Sequence, residues 1–118
     1  MAKVEITYGI VSEGVVVAAE NISITLTKKD IEEVETTLVA NNFSPLFADL
    51  PERIYKRCCR KALEAAPALC ASVNIEPTAE IPVAFSEVLP LSLADALSEE
   101  VGAKVKANMR AKLPELFS

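Results

Sequence analysis

Val4, Ile6, Tyr8 and Ile10 alternate with Lys3, Glu5, Thr7 and Gly9. In a strand, alternate side chains point to opposite faces, so this pattern describes a strand with one apolar face that must be covered by another layer. Ser12-Glu13-Gly14 supplies a turn, and Val15-Val16-Val17 resumes extended structure as a hairpin return. Ile22, Ile24 and Leu26 then alternate with Ser23, Thr25 and Thr27. Val15 and Val17 are out of phase with those even-numbered positions. That mismatch predicts a slip around Glu20-Asn21, either a bulge or a second turn making a three-stranded meander.

After residue 27 the period changes from two to that of a helix. Thr27 followed by Asp30 is an N-cap pair for a helix over residues 28–42, with Ile31, Val34 and Leu38 as its core stripe. Asp30, Glu32, Glu33 and Glu35 load its first turns with acid, as the helix dipole favours. Asn41-Asn42 and Ser44-Pro45 end it. A second helix is expected over Asp49–Ala66, with Asp49 as cap, Pro51 in the first turn, Glu52 three residues after the cap, and Pro67 as the stop.

Pro67, Pro77, Pro82 and Pro90 then fall within one stretch, together with Val73, Ile75, Ile81, Val83, Phe85, Val88 and Leu89. Prolines this dense prevent both a long helix and a central strand. The stretch is also too apolar for a disordered linker. Extended edge strands, or an arm packed on the core or on a neighbouring chain, are the expected structures. The last helix is expected from Ser92, its cap, to about Lys112. Strands followed by helices define an α+β fold: an N-terminal antiparallel hairpin or meander packed against three helices, with Pro-rich extended segments between the second and third. Its 118 residues form one domain, 1–118, large enough for its own core.

The most contrasted charge pattern lies on the second helix. Arg53, Lys56, Arg57, Arg60 and Lys61 fall within about 140° of arc at 3.6 residues per turn, although the chain carries a formal net charge of -5. These five residues are the candidate anion or partner face. Negative net charge, and the lack of interleaved aromatics to stack on bases, make nucleic acid the disfavoured partner. Pairing with the acidic first helix, in the same or a neighbouring subunit, is the favoured use.

Self-association is expected from three features. A mean hydropathy of +0.28 is high for so small a domain. In the last helix, Leu93, Leu97, Val101, Val105 and Met109 form a bulky stripe beside a small-residue stripe of Ala96, Ala103, Ala107 and Ala111, so the helix can be covered from two directions. The third feature is the apolar arm, with Ile81, Val83 and Phe85 as its candidate contacts.

Catalysis is not expected. The chain has no histidine and three scattered glycines, which removes the usual general base and any phosphate-cradling loop. No cofactor or metal is expected. Cys58, Cys59 and Cys70 are odd in number, two of them adjacent, and read as core residues in a reducing, cytoplasmic setting. No stretch approaches the roughly 20 apolar residues of a spanning helix. The function expected from sequence is therefore a non-catalytic interaction or structural subunit that self-associates and docks on a larger protein partner. The alternative is an anion- or nucleic-acid-binding module using the basic face of the second helix.

Overall fold

The computed structural model describes residues 2–76 and 81–116, with side chains to Lys112. Strands β1 (Ala2–Ser12) and β2 (Val15–Leu26) form the hairpin read from the alternation, with Ser12 opposite Val15. Glu13 and Gly14 both adopt positive φ, 52° and 77°, as the tight two-residue hairpin turn requires. A third strand, β3 (Val83–Phe85), lies antiparallel on the other side of β1, so the sheet order is β2-β1-β3. The proline-rich stretch thus supplies an edge strand. Pro82 sits just outside it and gives its carbonyl to the Val11 N–H at 2.9 Å. There its missing N–H costs nothing. Pro77 lies outside the described residues.

The slip in β2 is a bulge, and β2 is continuous. It occurs earlier than expected: Ile10 faces Ala18 and Val11 faces Val16, leaving Val17 as the extra residue. Glu20 stays in register because it faces Tyr8 and accepts its hydroxyl proton at 2.5 Å. The out-of-phase valines do not report the phase of the buried face, because they are not core residues. Val15, Val16 and Val17 are 61, 55 and 44 % exposed at the hairpin tip.

One face of the sheet, built by Val4, Ile6, Tyr8, Ile10, Ile22, Ile24 and Leu26, is buried. The other carries Lys3, Glu5, Thr7, Asn21 and Thr25 in solvent. The covering layer is helical. Helix α1 (Lys28–Ala40) begins with a full capping box: the Thr27 hydroxyl accepts from the Asp30 N–H, and the Asp30 carboxylate accepts from the Thr27 N–H. Helix α2 (Glu52–Ser72) lies across β2 and β1 through Ile54, Cys58, Ala62, Ala66 and Cys70.

Both ends of α2 differ from expectation. Pro51, not Asp49, occupies the cap position. Proline holds the preceding Leu50 extended, with ψ at 155°, so the helix cannot reach back to Asp49. That residue sits instead in a 3-10 turn (Phe47–Asp49), where its carboxylate accepts from the Ser44 hydroxyl. At the other end, Pro67 does not stop the helix. Its ring is on the exposed side, so the carbonyl it strands one turn earlier can bond to water. Ala66 and Cys70, buried against the sheet, hold the last turn in place.

The expected third helix is two helices, α3 (Leu91–Ala96) and α4 (Glu99–Leu116). Leu97 is extended between them, only 8 % exposed, and the Ser98 N–H donates to the Glu35 carboxylate at 2.6 Å. Burial of Leu97 and this bond to α1 outweigh continuation of the helix. Ser92 is not a cap. It lies in the first turn of α3, and its hydroxyl both donates to the Glu5 carbonyl and accepts from the Glu5 N–H, each at 3.0 Å. Gly102 makes the α3–α4 fold-back possible, since a Cβ there would stand 2.7 Å from the Ala94 carbonyl oxygen. Gly102→Ala is expected to lower stability by about 1–3 kcal/mol, the usual cost of overpacking against backbone, measured by urea unfolding.

Candidate functional site

The five cations of α2 serve three different ends. Arg53 and Arg57, one turn apart, reach Asp30 at the start of α1. Arg53 Nη2 lies 2.5 Å from Asp30 Oδ1 and also bonds Glu33; Arg57 Nη1 lies 3.1 Å from Asp30 Oδ2. Arg57 Nη1 also donates to the Thr25 carbonyl of β2 at 3.2 Å. Lys56 pairs with Glu52 along its own helix. Among the described residues, Arg60 and Lys61 form no ion pair. Both are exposed. With Arg57 and Glu64 they line a groove of about 250 Å³ beside Ser23, Ile24 and Thr25 of β2.

Asp30 is 4 % exposed. The Arg57 guanidinium above all, then the Thr27 N–H and Arg53, hold its carboxyl well below the usual carboxylate range, against the opposing effect of burial. The basic face therefore spends much of its charge inside the protein, where it joins α1, α2 and β2.

The small-residue stripe does not survive as four positions on one helix. Ala96 is half-buried on α3, while Ala103, Ala107 and Ala111 form an exposed row on α4. Ile81 is half-buried ahead of β3; Val83 and Phe85 are half-buried within it. Phe85 packs within its own chain. Its ring stacks on Phe47 at 4.8 Å, and Tyr55 meets both rings edge-on at 5.5 and 6.0 Å. This aromatic cluster was not legible in sequence, since its members belong to three separate segments with no shared period. On α4, Lys106 pairs with Asp95 of α3, and Lys104 with Glu100.

Cys58 and Cys70 are buried and Cys59 is half-buried; all three are unbridged. Burial, with a smaller effect of Cys59, pushes the Cys58 thiol up to about 11, and Arg57 only partly offsets this. Burial raises Cys59 as well. Neither is an activated thiolate. Among the described residues no three cysteine or acidic side chains gather closely enough to hold a metal ion, and no helix is long and apolar enough to cross a membrane. Compared with protein-family models, curated proteins and solved structures, the chain matches none.

Two outcomes follow from this geometry. Because the folded-state pKa of Asp30 is depressed, its contribution is full above the unfolded carboxylate value of about 4 and is lost as pH falls toward the folded value. Denaturant midpoints taken from pH 7 to pH 3 are expected to drop below about pH 4. Asp30→Asn should flatten that drop and cost about 1–3 kcal/mol at pH 7, moderated because Arg53 is half in water. Alkylation by iodoacetamide at pH 8 is expected to be slow at Cys59 and slower still at Cys58 and Cys70 until the protein is unfolded, as read by peptide mass spectrometry.

Proposed function

We propose that this chain is a non-catalytic structural or interaction subunit that works by assembling with a second copy of itself and docking on a larger protein, in the cytoplasm. The observation that carries the reading is the valine run at the hairpin tip, Val15–Val17, three consecutive β-branched residues left in water. Large apolar side chains left exposed together at one place are candidate contact sites. The exposed row Ala103, Ala107 and Ala111 offers a second surface on which a helix could approach closely. Three unbridged thiols suit a reducing compartment.

The anion-binding alternative draws less support from the geometry. Arg53, Arg57 and Lys56 are engaged by Asp30, Glu33 and Glu52, leaving a small cationic remnant in an acidic protein. Sedimentation velocity from about 5 to 200 µM at moderate salt is the test, across the range where weak homodimers form. A dimer or larger assembly is expected. A monomer throughout that range would overturn the reading.

A further inference from the structure

The directions of the main-chain groups in the sheet can be worked out residue by residue. Val11 donates its N–H to Pro82, on the β3 side of β1, and both main-chain groups of Glu5 are taken by Ser92 on that same side. In an antiparallel ladder successive residues point their polar groups to opposite sides. The odd residues of β1 therefore face β3 and α3, and the even ones face β2. Up to the bulge, β1 and β2 pair even with even: Val4 with Ile24, Ile6 with Ile22, Tyr8 with Glu20. Ala19, Asn21, Ser23 and Thr25 of β2 must then aim N–H and C=O outward. The bond from Arg57 to the Thr25 carbonyl is an independent sign of that direction.

The two edges of the sheet are treated very differently. On the β3 side the strand is three residues long, preceded by proline, and Ser92 takes the place of a strand where β3 does not reach. On the β2 side a strand of 12 residues, VVVAAENISITL, has no proline, no lysine and a single charge, Glu20. Edges that must stay single are normally short, charged or broken by proline. This one is long and free of proline, and its bulge at Val17 lies outside residues 19–25, where Glu20 is the single charge.

We propose that the outer edge of β2 is the self-association surface. Two copies pair their β2 strands antiparallel about a two-fold axis at Ile22 and join their sheets into one of six strands. The proposal rests on the self-assembly reading above and places the contact at residues 19–25, apart from the exposed valines at the hairpin tip. A two-fold axis perpendicular to the sheet keeps both helical layers on one side and sets each residue opposite one of the same parity. Centring on Glu20 would oppose two carboxylates, which is destabilising. Centring on Ile22 sets Asn21 opposite Ser23 and Ala19 opposite Thr25, all outward-facing. On the helical side it sets Ile22 against its own copy and Glu20 opposite Ile24. Ile24 lines the groove that holds Arg60 and Lys61, the two cations with no ion pair among the described residues. One oxygen of Glu20 takes the Tyr8 hydroxyl, and the other meets a cation across the interface. Charge complementarity thus selects a second copy as the occupant and Ile22 as the register.

Sedimentation of the full chain with three variants tests this, together with one variant-free measurement by amide exchange. Ser23→Pro removes an outward N–H and leaves the β1 ladder intact; it is expected to weaken dimerisation about 100-fold. Glu20→Lys should weaken it about tenfold, and the double change Glu20→Lys with Lys61→Glu should restore it. Without any variant, amide exchange followed by NMR should show Ala19, Asn21 and Ser23 protected at high protein concentration and unprotected on dilution. A wild-type dimer whose Asn21 and Ser23 amides exchange rapidly at every concentration would overturn the β2 pairing while leaving self-assembly standing. So would a folded Ser23→Pro that dimerises like the parent. A wild-type monomer at 200 µM would remove both.

Discussion

Asp30 is the one charged residue buried among those described, and three elements meet on its carboxylate. It accepts the Thr27 N–H that opens α1, and it holds Arg53 and Arg57 of α2. Through Arg57 it is linked to the Thr25 carbonyl at the end of β2. A buried carboxylate is tolerated only where charge and hydrogen bonds compensate its lost hydration. All its ligands must therefore be in place together, and this sets where α1 leaves the sheet and where α2 crosses it.

With α2 so placed, the apolar face of the hairpin is closed by Ile54, Cys58, Ala62, Ala66 and Cys70, and the cysteines become small buried hydrophobes. The same placement sets Arg60 and Lys61 beside the outer edge of β2. The exposure of these cations is thus a by-product of a packing solution. Charge not consumed at Asp30 lies along a strand on whose outer edge the Thr25 carbonyl already accepts from Arg57.

Local signals were dependable where the residues concerned answer to their immediate neighbours. The alternation of β1, the Glu13-Gly14 turn and the Thr27/Asp30 capping box all depend on bonds and sterics within a few positions, and each is found as read. The α+β class follows from the same signals. Errors arose where distant packing overrode a local rule. Pro67 reads as a stop, but Ala66 and Cys70 are held by the sheet. Residues 92–112 read as one helix, but the pull of Leu97 into the core and the bond from Ser98 to Glu35 divide it. The valines at the hairpin tip placed the phase slip near Glu20-Asn21, but they are exposed and the bulge falls at Val17. Of the candidate sites, the clustering of the five cations of α2 was visible at once; their division between Asp30, Glu33, Glu52 and the open groove was not.

By itself the sequence determined the elements that local stereochemistry dictates: a one-faced hairpin, a capped α1, an amphipathic α2 and an extended apolar segment between prolines, which it left open as edge strand or arm. It also determined which residue types were present to do chemistry, and histidine is not among them. Tertiary structure alone decided which cations remain available, which alanines face water, and which edge of the sheet is left open. Those properties depend on pairs far apart in the chain, such as Asp30 with Arg57 and Glu5 with Ser92. No periodicity encodes such pairs, because the contact energy that selects them exists only once the layers are packed.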